Sequence, residues 1–430
     1  MPDKARYLQS LESDQPVQVL KMLYGDRPAQ LARQRKRYIT LINRFSALFP
    51  QLDEFQIFSV PGRTEVGGNH TDHNAGRVLA AGVDLDIIAA VAKTNTGVIT
   101  LQSEGYPTSM VNINQLDKVE AEKNTPIALI RGVCARMKAM GYQIGGFTAY
   151  ATSDVLKGSG LSSSAAYEIM VVTILSHLYN QGEVDLMVAA QIAQFAENTY
   201  FGKPCGLMDQ ITCAVGGFVT IDFKEFDHPV VKKVAFDFAS SGYSLVIVDT
   251  GGNHADLTDE YAGVAREMKA VAQALGVQVL RETTLEQVIA HISELRLKVS
   301  DRAILRAMHF FRDDQRVVAE VAALEKDQFD CFLGLVIESG YSSWMLNQNT
   351  YTSKNVSEQG VSVALAASEF ILKGRGAWRV HGGGFAGTIQ AFVPDDLLEG
   401  YVHLMKTIFG ENSCYELIIR PAGAVKVELT

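Results

Sequence analysis

The chain has 430 residues, 47% hydrophobic and 20% charged, with a formal net charge of -9. That length exceeds what one hydrophobic core usually fills, so the sequence predicts two domains, over 1–240 and 241–430, each large enough to fold unaided. The acidic balance argues against a nucleic-acid or anionic-membrane partner, and five scattered cysteines without a C-x-x-C pair argue against a disulfide framework or a zinc site.

Residues 1–50 read as helical, with an apolar phase through Leu31, Tyr38, Leu41 and Phe45 that requires a larger surface to lie against. The N-terminal stretch is too polar for a secretory signal, and Asp84 and Asp86 break the apolar run from Val78 to Ala92 well short of a membrane span. A cytoplasmic protein is expected. From Phe55 to Ile99, short β-type runs are separated by Gly and Asn, as in a mixed sheet whose loops carry function. A helix is predicted over 126–140 and a strand over 147–153. That strand runs through a glycine-serine loop into a helix over 161–179. A further helix over 186–200 precedes Gly202–Gln210, and strands are predicted within 216–223 and 243–250. The C-terminal half should hold helices near 258–275, 283–297, 300–312, 315–325 and 356–373, with strands at 377–380, 388–393 and 414–419.

Four segments carry candidate chemistry. Gly158, Ser159, Gly160, Leu161, Ser162, Ser163 and Ser164 lie at a strand-to-helix junction, where glycines let the backbone approach a ligand and the first helical amides favour an anion. The three serines add hydroxyls suited to phosphate oxygens or Mg²⁺, or they simply cap the helix. No lysine completes a Walker A loop, and no acidic residue closes a following strand as a Rossmann motif requires. Pro61–Asn74 crowds polar side chains among glycines, as a site for a polyhydroxylated ligand does, although a solvated turn is the plainer alternative. Asp209 follows Gly202–Met208 and is a candidate acid or base, while Glu197, ending the preceding helix, is a candidate Mg²⁺ ligand. Either carboxylate could instead be a buried ion-pair partner. His381–Gly387 is a glycine run that permits close backbone contact, or only a tight turn.

In this order the segments resemble the GHMP kinase superfamily. The serine loop resembles its phosphate-binding motif, His381–Gly387 its glycine-rich third motif, and Pro61–Asn74 the galactokinase signature G-R-x-N-x-I-G-E-H-x-D-Y. The resemblance implies an α+β, two-domain fold, with an N-terminal half like ribosomal S5 domain 2, a ferredoxin-like C-terminal half and the active site between them. It implies ATP and Mg²⁺ as cofactors, a small-molecule sugar as acceptor and a monomer or weak homodimer. It places Arg63 and Asp209 at the transferring phosphoryl, Ser164 and Glu197 at Mg²⁺, and Asn69, His70, Asp72, Gly206 and Tyr261 at the sugar.

The sequence also departs from the signature. Asn69 stands where Glu is usual, His73 where Tyr is, and Glu65 where Asn is, while Leu156 replaces a common Pro before the phosphate loop. A galactose 1-kinase is the expected activity. A kinase for a related sugar such as galacturonate, an inactive sugar sensor and a kinase for a non-sugar alcohol are the rivals. Retention of Arg63, Asp209 and the serine loop weighs against the sensor, and His70-Thr71-Asp72 against the non-sugar substrate.

Overall fold

The computed structural model describes residues 4–13, 18–155, 160–252 and 257–429. Its first sheet has eight strands: β1 (Gln56–Gly67), β2 (Arg77–Lys93), β3 (Val98–Ser103), β4 (Ser109–Asn112), β5 (Phe147–Ser153), β6 (Phe218–Asp222), β7 (Val230–Val234) and a late strand described below. The second sheet is antiparallel and built from β8 (Tyr243–Asp249), β9 (Ala377–Val380), β10 (Thr388–Pro394) and β11 (Cys414–Leu417), in the order β11-β8-β10-β9. The late strand, β12 (Val425–Val427), returns to the first sheet and pairs with β1, giving the order β12-β1-β2-β5-β3-β4. The fold is α+β, and the chain crosses between its halves twice.

Alternation along β2 explains why this strand reads as continuously apolar. Ile87, Ala89 and Val91 join the core beneath the helices Pro126–Ala139, Ser163–Tyr179 and Leu186–Phe195, while Ile88, Ala90 and Ala92 join a second core beneath the N-terminal helices. In that second core the helix Pro28–Leu48 buries Tyr38, Leu41, Ile42 and Phe45, as its apolar phase requires. The acids that interrupt β2 are anchors. Asp86 is fully buried and accepts from Tyr24 Oη at 2.6 Å, from Arg37 and Arg420, and from Ser59. Asp84 accepts from the Ile418 amide at 3.0 Å and from Gln30 at 3.0 Å.

Several elements differ from the sequence expectation. The helices expected over 300–312 and 315–325 form one helix, Asp301–Glu325. Its central acids, which look like a break, are buried: Asp314 meets Arg77 at 2.7 Å and Arg281 at 2.7 Å, and both arginines also meet Asp222. This four-membered ionic ring ties β2 and β6 to the helical layer of the second half. The span 283–297 is divided into Leu285–Ala290 and Ile292–Leu295, and Phe329–Ser342, Leu398–Phe409, β7 and β12 are additional elements.

Candidate active site

Arg63 is aimed by a fault in its strand. The β1–β2 register shifts between Pro61 and Arg63 and again between Glu65 and Gly67, so Arg63, Thr64 and Glu65 form a short regular stretch between two irregularities. Bulges of this kind re-aim side chains beside active sites. Within the stretch, Arg63 and Glu65 share a face. Arg63 reaches Asp209, in the first turn of the helix Met208–Val215, through two parallel bonds: Nε to Oδ1 at 2.7 Å and Nη2 to Oδ2 at 2.8 Å. Its remaining nitrogen, Nη1, donates to the Gly160 carbonyl, and its backbone amide donates to Leu161 O at 3.1 Å. One residue thus joins the strand, the candidate base and the serine loop.

Ser162 decides what the serine loop does locally. It begins the helix Ser163–Tyr179 at φ 57°, makes no side-chain cap bond, and donates its hydroxyl to Asp209 Oδ2. Capping is therefore not its role, and the first helical amides keep the anion-attracting character of an uncapped N-terminus. Gly160, at φ +72°, packs against the His381 ring, which brings the third glycine segment onto the loop. Of the expected phosphate-loop residues, Gly160, Leu161, Ser162, Ser163 and Ser164 are described, while Gly158 and Ser159 lie outside the described residues.

Asp209 has opposing influences on its charge. Burial pushes its carboxyl up, but Arg63's charge and hydrogen bonds, with the Ser162 bond, hold it below the usual carboxylate range. Its Oδ2 is filled by two donors and its Oδ1 by one, so Oδ1 keeps a lone pair for a substrate hydroxyl.

Glu197 is the second residue of a π-helical turn over Ala196–Phe201, where a regular helix was expected to 200. It accepts from Ser164 Oγ at 2.9 Å, from Gln210 Nε2 at 2.9 Å and from Lys203 at 3.4 Å. Glu168, one turn beyond Ser164, is fully buried, and its Oε1 meets no donor among the described residues. Burial, then the Glu197 charge, raises its carboxyl well above the usual range. The sequence reading missed Glu168 and Gln210. Their signals were the i, i+4 spacing from Ser164 and adjacency to Asp209. Two carboxylates and a hydroxyl are hard oxygen donors that fit Mg²⁺, which takes few protein ligands and fills its other positions with water and phosphate oxygens. Among the described residues no group of three His, Cys, Asp or Glu side chains forms a richer metal cage.

The sugar-type residues gather around the turn Gly382–Gly384. Asn69 Nδ2 donates to Gly382 O at 2.8 Å, His70 Nε2 to Gly383 O at 2.9 Å and Tyr261 Oη to Gly384 O at 2.9 Å. Gly382 and Gly384 both have positive φ, and at Gly384 a side chain would collide with Asn349. Burial, with the neighbouring His73, lowers the His70 ring to about 3, so it is neutral. Because Nε2 must donate to a carbonyl, Nδ1 is its acceptor. The Asp72 carboxylate lies against Gly206, where a Cβ would sit 3.3 Å from Oδ2. Asn69 is enclosed. Its Nδ2 also donates to Glu65 Oε1 at 2.8 Å, its Oδ1 accepts from Asn349 at 2.8 Å, and a sugar hydroxyl would have to displace one of these partners. Burial pushes Glu65 up to about 7, against the pull of Arg379 and Asn69.

Comparison with known proteins gives the family and the fold. The GHMP kinases N terminal domain matches residues 128–217, and the galactokinase galactose-binding signature matches 43–93. A galactokinase from Streptomyces coelicolor is 30% identical over 357 residues, covering 82% of this chain and 88% of that protein. One from Glaesserella parasuis is 29% identical over 379 residues, covering 86% and 92%. Among solved structures, Lactococcus lactis galactokinase complexed with galactose superposes with a TM-score of 0.75 at 23% identity, covering 90% of this chain and 98% of that one. Methanococcus jannaschii mevalonate kinase gives 0.60 at 15%, covering 85% and 98%.

Proposed function

The chain belongs to the galactokinase family of the GHMP kinases, and on that premise we propose that it transfers the terminal phosphoryl of ATP to the anomeric hydroxyl of galactose, releasing galactose 1-phosphate and ADP. The observation that carries the reading is the double hydrogen bond between Arg63 and Asp209, set between the serine loop and the sugar-type loop. Phosphoryl transfer asks a protein for alignment and charge neutralisation more than covalent chemistry. Asp209 is ionised, and its free Oδ1 lone pair orients the anomeric hydroxyl and receives its proton as the new P–O bond forms. Arg63 holds that carboxylate in place and presents a fixed positive charge where the phosphoryl passes.

The helix amides after Ser162 receive the phosphates, and Ser164 with Glu197 would hold Mg²⁺, which supplies charge neutralisation between phosphate oxygens. The sugar meets His70 Nδ1, Asp72 and the Gly206 backbone. A neutral sugar suits this pocket better than galacturonate. Asp72 and Glu65 are both acidic, and the nearby cation Arg379 is already bound to Glu65 at 3.1 Å. Asp209 retained in working geometry with Arg63 likewise speaks against a sensor without activity. Incubation with ATP, Mg²⁺ and single sugars tests the proposal. Galactose should release ADP and give a product phosphorylated at C1 by NMR, and ADP release that no sugar stimulates would end it.

A further inference from the structure

Asn69, expected from the resemblance to meet the sugar, has no acceptor to spare. Both its amide hydrogens are used, by Glu65 Oε1 and Gly382 O, and its Oδ1 takes Asn349 Nδ2 at 2.8 Å, with Ser343 and Asn347 at 3.5 Å. Even its backbone is engaged, with N on Asp313 Oδ2 at 2.8 Å and O on His309 Nε2 at 2.9 Å. Asn69 has no exposed surface.

Glu65 is the complement. Its Oε1 receives Asn69 Nδ2 at 2.8 Å and Arg379 Nη2 at 3.1 Å, while its Oε2 meets no donor among the described residues, and the side chain is 10% exposed. Glu65 points from the same face of β1 as Arg63, two residues away. Asn69 Nδ2 bonds both Glu65 Oε1 and Gly382 O, and His70 and Tyr261 meet the same glycine turn, so the carboxylate lies between the transfer end and the sugar end of the site.

Relative to the signature that this chain resembles, Asn and Glu at 65 and 69 have changed places, and the structure shows the two side chains bonded to each other. An amide–carboxylate pair survives the exchange, with the charge moved from loop to strand. We infer that Glu65 supplies a carboxylate acceptor for a sugar hydroxyl, in addition to Asp72, and that Asn69 is its positioning partner, an assignment that rests on the sugar-kinase reading above.

The test compares the wild type with Glu65→Gln, Asn69→Glu and the exchange variant Glu65→Asn/Asn69→Glu, using galactose and the set of monodeoxygalactoses, with melting curves to establish that each protein is folded. Glu65→Gln keeps an oxygen for Asn69 and Arg379 and turns an NH₂ toward the sugar. It should raise the galactose KM about tenfold or more with the ATP KM within about twofold, as expected for losing a charge-assisted bond. One monodeoxy sugar, penalised in the wild type, should lose its penalty in Glu65→Gln, which a merely structural carboxylate would not cause. Asn69→Glu sets two carboxylates together and should be worse than the exchange variant, which should return to within about threefold of the wild type. A galactose KM for folded Glu65→Gln within twofold of the wild type, or deoxy penalties all unchanged in it, overturns the assignment while leaving the kinase reading intact. If the wild type prefers another sugar, that sugar and its deoxy analogues take galactose's place. A wild type that phosphorylates no sugar overturns both.

Discussion

Replacing Asp209 with Asn tests the catalytic pair where its geometry is most demanding. Asp209 offers two oxygens to two guanidinium nitrogens at 2.7 and 2.8 Å, and a third donor, Ser162, shares Oδ2. An amide can match only one of those positions. In either orientation its NH₂ faces an Arg63 N–H, and even with its oxygen turned to the substrate hydroxyl an amide is too weak a base to take the proton. Losing a positioned acid–base group costs about 10²- to 10⁴-fold in turnover, the lower bound corresponding to about 2.7 kcal/mol of barrier. The Arg63 side chain is 10% exposed and that of Asp209 29%. Breaking a fully buried pair costs about 3 to 5 kcal/mol, and partial hydration here should bring the stability loss to about 1 to 3 kcal/mol. Steady-state turnover on galactose, with urea melting as the folding control, separates the two effects. The galactose dissociation constant should change by less than about fivefold, because His70, Asp72 and Gly206 remain. A folded Asp209→Asn enzyme within tenfold of wild-type turnover would refute the role given to this carboxylate.

Ser164→Ala or Glu197→Gln should raise the Mg²⁺ concentration for half-maximal rate severalfold, since each removes an oxygen ligand; overlapping Mg²⁺ titrations would take both residues out of the metal site. Glu320 is buried against Gly67, and neither of its oxygens meets a donor among the described residues. Burial, then Asp313, pushes it up to about 8 against the pull of Arg379 and Arg316, with Glu65 adding a further upward push. A carboxyl raised in the folded state contributes stability below its unfolded pKa and loses it as pH rises toward 8, so Glu320→Gln should be near neutral at pH 5 and stabilising by about 1 to 3 kcal/mol at pH 8.5. Equal effects at both pH values in chemical denaturation would contradict that origin. Asp314→Ala leaves Arg77 and Arg281 sharing Asp222 alone and should cost about 2 to 4 kcal/mol, measured by the denaturation midpoint. A cost below 0.5 kcal/mol would show that the ionic ring does not hold the halves together.

Local order was legible where one strong period met one clear stop. The strand, serine loop and helix over 147–179, and the apolar phase of Pro28–Leu48, follow from spacing alone. Less legible were residues whose meaning comes from a partner far along the chain. Asp313 and Asp314 look like a helix break until the Asn69 amide and Arg316 meet the first and Arg77 and Arg281 the second, and Glu168 looks like helix surface until the second carboxylate, Glu197, lies next to it. β12 is three residues long and is defined by its register with β1 rather than by its own composition. In the site, motif order brought Arg63, Asp209, Ser164 and Glu197 to notice. It carried no sign that Ser162 would bond Asp209, or that Asn69 would be consumed by its neighbours.

The most direct measurement of the central claim is ADP release with ATP, Mg²⁺ and purified enzyme across a panel of sugars, followed by ³¹P NMR of the product. Galactose should give the highest kcat/KM, with a phosphate ester at the anomeric carbon and one ADP for each ester formed. ADP release independent of sugar, or an ester at any other carbon, would contradict a galactose 1-kinase built around Arg63 and Asp209.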